Sequence, residues 1–294
     1  MPTSPNTASA AGERERGNRM RRDLSLPPGL SRSWLLVSAA EPVGFGTAFA
    51  SSADSVIFDL EDSVLPKDKP QARRSVTDSL SSGPSAWVRI NGPETCDWAE
   101  DLSALTGAPG LEGIMLAMTE SADAVSATVA ALPARIPVIA LIETAKGIEN
   151  AALIASAPGI LRLAFGVGDF RLDTGTAGTQ EALGYARSRL VVASRAAGLP
   201  GPIDGPSPDA SREQLVEACR LSADLGMTGK LCLSPTTTEL INHALSPTDA
   251  ERQWATDLLA AQEGGSEPQD GSYRPKLRRA EKILALAKTY SHHG

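Results

Sequence analysis

The stretch Ser55-Val56-Ile57-Phe58-Asp59-Leu60-Glu61-Asp62-Ser63-Val64 runs from β-branched and aromatic residues directly into three carboxylates within four positions. The apolar run reads as a buried strand, and acids gathered at its carboxyl end are costly there unless cations meet them. Parallel α/β proteins place their sites at such strand ends.

Two further runs carry acids at the same place: residues 137–142 lead into Glu143, and residues 161–166 lead through Val167 and Gly168 into Asp169. A fourth run, 86–91, brings Arg89 instead. In a parallel sheet these carboxyl ends share one face, so groups distant in sequence converge. The competing reading is that each acid caps the helix after it, where Asp and Glu favour the first turn. Capping accounts for any one of them more readily than for the set.

Outward from these runs the pattern alternates. Strand-like segments fall at 34–38, 56–60, 87–90, 113–117, 137–142, 161–166, 201–203 and 230–233. Helical patterns fall at 42–51, 67–81, 98–105, 121–131, 144–155, 179–197, 211–225 and 235–244. Eight strand–helix units predict a (β/α)8 TIM barrel over residues 31–245. An open doubly wound sheet is the other arrangement, but no glycine-rich dinucleotide fingerprint follows the first strand. Ser211 and Gln214 have capping-box spacing, and Pro158-Gly159 stops the helix begun after Glu143.

The barrel is flanked by a tail, 1–30, read as disordered from its Ser, Pro, Gly and Arg content, and by a helical extension, 246–294. The extension holds a helix from 246 to about 261, a linker at 264–271 and a last helix at 276–289. Such helices cannot bury an apolar face alone. The extension is expected to pack on the barrel near its mouth or on a neighbouring subunit, which makes a homo-oligomer, trimer or hexamer, the expected assembly.

With 4% aromatic residues and a net charge of −7, the chain lacks the stacking residues and basic footprint of a nucleic-acid binder. Cys96, Cys219 and Cys232 form no CxxC pair, which points to reduced thiols in a cytoplasmic protein and not to disulfides or zinc. No apolar run approaches membrane-spanning length, so no membrane partner is expected. Arginines in the tail alternate with Glu13 and Glu15 and precede no apolar segment of a targeting signal, and Met20 offers a second start.

Glu143 and Asp169, at the ends of adjacent strands, are the natural pair for a divalent metal. Two carboxylates with open positions suit Mg²⁺, which prefers oxygen and keeps waters that a substrate can displace. Gly166, Val167 and Gly168 leave little bulk there, so a substrate carboxylate can approach the backbone. Arg89 can clamp that carboxylate with two parallel hydrogen bonds, or it can neutralise Glu61 or Asp62 across the mouth. No histidine falls at a strand end, His243 lying in a helical pattern and His292 and His293 in the C-terminal tail. A general base must then be a carboxylate, a water or a neighbour's residue. Lys230 begins its strand, opposite the active face, and reads as structural, not as a Schiff-base amine.

Together these blocks resemble the HpcH/HpaI aldolase/citrate lyase family, in its citrate lyase β-subunit-like branch, over about Arg32 to Ala287. The resemblance rests on residues 54–64 with Lys69 and Ala72-Arg73, on Val88-Arg89-Ile90-Asn91, on 141–145, on Phe165-Gly166-Val167-Gly168-Asp169 and on Gly229-Lys230-Leu231-Cys232. It implies a Mg²⁺-dependent carbon–carbon lyase or synthase acting on a hydroxyacyl-CoA, or a related hydroxy or keto acid, through an enolate. On that analogy Glu143 and Asp169 hold the metal, Arg89 clamps the substrate, and Glu61 with Asp62 orders the site. It also makes Asp270 a candidate acid/base that reaches a neighbouring subunit's site. Asp62 stands where the pyruvate-type aldolases carry histidine.

Three strand ends depart from the family pattern. Ser38-Ala39 replaces a Pro-Gly turn, Ala117-Met118 replaces Pro-Lys, and Ser234-Pro235 replaces His-Pro. Metal binding should survive these changes, whereas acyl-CoA recognition stays open. Thioester hydrolysis on the same metal site, and a barrel that binds metal and acid without turnover, are the rival functions.

Overall fold

Eight parallel strands close in sequence order: β1 (Ser33–Ser38), β2 (Ser55–Asp59), β3 (Ala86–Ile90), β4 (Leu111–Leu116), β5 (Val138–Ile142), β6 (Ile160–Phe165), β7 (Ile203–Asp204) and β8 (Gly229–Cys232). This is the expected (β/α)8 barrel. The computed structural model describes residues 26–133, 136–263 and 273–292. The chain divides into Pro28–Leu245 and a second unit of Met1–Pro27 with Ser246–Gly294.

Strand alternation sorts each side chain to one of two layers. On β2, Ile57 joins Trp34, Trp87, Met115, Ile139 and Leu141 in the cluster that fills the barrel. Val56, Phe58 and Leu60 belong to the cluster between strands and helices, where Phe58 stacks on Phe45 of α1 (Gly44–Phe49) and packs with Val76 and Leu80 of α2 (Lys69–Ser82). Because Ile57 faces inward, so does Asp59, two residues on. The same phase turns Arg89 inward after Trp87, and Glu143 inward after Ile139 and Leu141.

The amino-terminal end of the barrel is closed by Arg162, which is fully buried and donates to the carbonyls of Gly201 and Ser31 and to Thr228 Oγ1. Its guanidinium lies 5.6 Å from the Trp34 ring, which meets Trp87 edge-on at 5.3 Å. The inward Asp59, Arg89 and Glu143 lie at the opposite, carboxyl end.

Around the strands run α3 (Cys96–Leu105), α4 (Ala122–Ala130), α5 (Ala145–Glu149), α6 (Ala151–Ala155), α7 (Val167–Thr174), α8 (Gln180–Ala196), α9 (Arg212–Leu225) and α10 (Thr238–Ala244). Two differ from the sequence reading. The single helix expected at 144–155 is interrupted at Asn150 (φ −85°, ψ 1°), whose Nδ2 donates to the Glu120 carbonyl at 2.9 Å. Residues 167–174, where the sequence pattern predicts no helix, form α7, whose apolar content is too thin to show a helical period but whose Phe170 packs edge-on against Phe165. The expected capping box of α9 is present, with Gln214 and Ser211 bonding reciprocally.

In the second unit, α11 (Asp249–Glu263) and α12 (Tyr273–Ser291) pair through Ala255, Ala280 and Ile283, the two alanines permitting close approach. Arg279 lies over the Trp254 ring at 5.3 Å. The tail to residue 25 and the expected linker at 264–271, Asp270 included, lie outside the described residues.

Candidate active site

The register of the barrel pairs Asp59 on β2 directly with Arg89 on β3. Both face inward, so the guanidinium meets the carboxylate in a fork: Nε to Oδ1 and Nη2 to Oδ2, each 2.7 Å. Asp59 also accepts from the backbone N–H groups of Glu61 and Ser63, which folds the acidic turn over the strand end. Burial pushes the Asp59 carboxyl upward, but the hydrogen bonds and charge of Arg89 outweigh it, so it stays below the ordinary carboxylate value. The sequence pattern gives Asp59 no role of its own. Only the inter-strand register reveals it as the partner that orients Arg89.

With its fork on Asp59, Arg89 turns its third nitrogen, Nη1, to Glu61 Oε2 at 2.9 Å and, more distantly, to Asp62 Oδ2 at 3.7 Å. Glu61 is mostly buried, whereas the Asp62 carboxylate is largely exposed. Burial, only partly offset by Arg89, together with the neighbouring charges of Asp62 and Asp59 raises Glu61 to about 7. The turn is pinned from below by Lys69, whose buried ammonium donates to the carbonyls of Leu60 and Glu61 and to Asn91 Oδ1. Asn91 is held in turn by Asp101, and Asp101 by Arg73. The motif residues Lys69, Arg73 and Asn91 thus act as supports behind the turn.

Glu143 follows β5 and is 2% exposed. Its Oε1 accepts the Met118 N–H at 2.6 Å. The rest of its side chain lies against Gly166 so closely that a Cβ on that glycine would overlap Glu143 Oε2 and Cβ. Burial is the main cause of a rise to about 8; the Met118 N–H opposes it, and the charges of Glu61 and Asp169 add to it. Asp169, half-buried, stands in the first turn of α7, where an acid is favoured, and its charge acts on Glu143. Gly166, Val167 and Gly168 form the start of that helix, whose first amides have no intrahelical acceptor.

The expected Mg²⁺ can be tested against this donor set. A buried carboxylate driven up to about 8 by desolvation and by two nearby acids is a group that lacks enough positive charge. All the donors are oxygens, which suits a hard cation. Among the described residues no group of three or more His, Cys, Asp or Glu side chains is placed to hold a metal. A cation held by Glu143 and Asp169 would therefore complete its shell with water and substrate oxygens, as Mg²⁺ does. The residues fit the ion.

Lys230 lies on the outer side of β8. It is buried and donates to Asp204 Oδ2 at 3.2 Å and to the Gly205 carbonyl, while Arg187 and Ser222 bond the same aspartate. Burial opposes ionisation of Asp204, yet the charges of Lys230 and Arg187 hold it below its ordinary value. This is a structural ion cluster between barrel and helices.

A closed parallel barrel with acids, one guanidinium and helix-start amides converging at its carboxyl end defines a TIM-barrel enzyme. The profile of the HpcH/HpaI aldolase/citrate lyase family matches residues 32–235, and that of the HpcH/HpaI aldolase C-terminal domain matches 250–291. The chain belongs to this family, and is a lyase. It is 33% identical, over 89% of its length and 96% of the relative's, to an L-malyl-CoA/β-methylmalyl-CoA lyase of Rhodobacter capsulatus. It is 34% identical to a citrate lyase subunit beta-like protein of Mycobacterium tuberculosis, covering 86% of this chain and 94% of that one. The crystal structure of CitE from Mycobacterium tuberculosis in complex with magnesium, acetoacetate and coenzyme A superposes with a TM-score of 0.75 at 31% identity, covering 88% of this chain and 98% of that one.

Proposed function

We propose that this protein is a Mg²⁺-dependent carbon–carbon lyase, or synthase in reverse, acting on a hydroxyacyl-CoA or related hydroxy acid through an enolate. The observation that carries this reading is the buried Glu143 carboxylate, raised to about 8 and set beside Asp169 and Arg89 at the barrel mouth. The CoA-linked substrates in relatives' names and the magnesium in the solved relative support it.

Glu143 and Asp169 would hold the ion, which when bound supplies Lewis-acid stabilisation of negative charge developing on a substrate oxygen. Arg89, locked by Asp59, presents Nη1 toward Glu61 and can hold a substrate carboxylate or carbonyl oxygen there without swinging away. The amides that open α7 at Val167 and Gly168 can receive a second carboxylate oxygen. Glu61, titrating at about 7, can take the substrate's hydroxyl proton during cleavage and return it during condensation, since its affinity for a proton is matched to neutral pH. Burial, with the charge of Asp62 adding to it, keeps Glu61 partly protonated. Asp270 is retained as a candidate acid/base contributed by a neighbouring subunit of a trimer or hexamer, which light scattering and an Asp270→Asn variant would test.

A free-acid substrate is the second reading, favoured by the uncharged Ser38, Met118 and Ser234 at three strand ends. Titration with acetyl-CoA and with a small α-keto acid, each with and without Mg²⁺, separates the two. Glu143→Ala and Asp169→Ala should each abolish Mg²⁺-dependent cleavage. Retained turnover in either removes the metal assignment, and intact acid plus free thiol as products would make the enzyme a thioester hydrolase.

A further inference from the structure

Met118 is the only non-glycine residue among those described with a positive φ, +49°. In this left-handed region a side chain crowds the following carbonyl, and such outliers persist only where their surroundings over-determine them. Here both flanking peptides are tied down. Ala117 N–H donates to the Ile90 carbonyl at the end of β3, and Thr119 N–H donates to the Leu141 carbonyl of β5. Thr119 is fully buried and returns its hydroxyl to the Leu116 carbonyl at 2.8 Å. The chain thus crosses from one neighbouring strand to the other in three residues, and Met118 takes the turn.

The turn has a product. It aims the Met118 N–H at Glu143 Oε1, 2.6 Å away, while the other side of that carboxylate lies against Gly166. The amide and the glycine together leave Glu143 one orientation. On the far side of the turn, Gly92 supplies the space: a Cβ there would lie 2.9 Å from Met118 Cβ and 3.5 Å from its Cγ. A merely connecting loop would require neither a strained non-glycine nor a glycine opposite it.

We propose that Met118 is a positioning residue of the cation site: its left-handed peptide, seated on Gly92, sets the orientation in which Glu143 meets the ion. The inference rests on the reading of Glu143 as a cation ligand. Partners that orient a ligand typically contribute ~10–100-fold in metal affinity.

The test is a double-mutant cycle read by Mg²⁺ titration calorimetry on the full chain. Gly92→Ala pushes on Met118 and should weaken Mg²⁺ binding by ~10-fold or more. Met118→Gly keeps the N–H and tolerates the left-handed backbone, and serves as the reference for the cycle. In the double variant the Cβ and Cγ that the added methyl group would strike are gone, and affinity should return to that of Met118→Gly, a coupling that independent sites do not show. Met118→Val, which keeps the N–H but disfavours the conformation, provides a second route if Gly92→Ala folds poorly, with the same loss expected. Melting of the metal-free variants separates lost affinity from lost stability.

Wild-type affinity in Gly92→Ala or in Met118→Val overturns the proposal, as does a double variant no tighter than Gly92→Ala. Glu143→Gln is the control. If it binds Mg²⁺ like the wild type, the ligand reading itself falls; if it loses binding while Gly92→Ala does not, only the positioning role falls.

Discussion

Binding of Mg²⁺ should release protons, and its affinity should climb steeply with pH. In the metal-free protein Glu143 titrates at about 8, because it is buried and faces Glu61 and Asp169. A carboxyl with that value is ~99% protonated at pH 6 and half protonated at pH 8, so the Mg²⁺ association constant should rise ~50-fold between them. The stability of the metal-free protein should move the other way. Glu143 holds its proton more tightly folded than unfolded, where the value is 4.5. Its contribution is therefore fully present below about 4.5 and is lost as pH rises through about 8, by at most roughly 5 kcal/mol. Calorimetric titration at pH 7 in buffers of low and high ionisation enthalpy measures the protons released, expected at about one per ion. Melting with and without Mg²⁺ at pH 6 and 8.5 should show a larger protection at the higher pH. A buffer-independent enthalpy together with an affinity flat from pH 6 to 8 would refute the reasoning, because the ion would then not displace a proton from Glu143.

Gly166→Ala places a methyl group on Glu143 and should weaken Mg²⁺ binding at least tenfold while costing ~1–3 kcal/mol in a urea melt; an unchanged affinity would show that the side chain can be displaced without consequence. Asp59→Ala leaves the Arg89 guanidinium buried without its fork partner and should lower stability by ~3–5 kcal/mol, and a midpoint within error of the wild type would contradict the ion pair. Asp204→Ala strands Lys230 and Arg187 and should cost a similar ~3–5 kcal/mol without altering Mg²⁺ affinity. Loss of affinity at unchanged stability would instead tie Lys230 to the site.

The barrel is legible in the sequence because short apolar runs, three of them leading into acids, alternate with helical patterns, and strand phase alone turns Arg89 and Glu143 inward. Where local signal is weak, the structure departs from the pattern. A helix is interrupted at Asn150, whose side chain bonds the Glu120 carbonyl thirty residues away in sequence, and α7 forms where Phe170 packs on Phe165. Glu120 lies beyond the window that a periodicity can scan, whereas Phe165 lies within it but residues 167–174 carry too few apolar positions to show a helical period.

What the sequence determined by itself is the set of inward acids, the arginine among them and the small residues Gly166 and Gly168, since side-chain phase and type are local properties. What only the tertiary structure decided is who meets whom. The register across β2 and β3 commits the Arg89 fork to Asp59, and the left-handed peptide of Met118 reaches Glu143 from a different strand. Both depend on stagger between strands, which closure of the barrel sets and no single segment encodes.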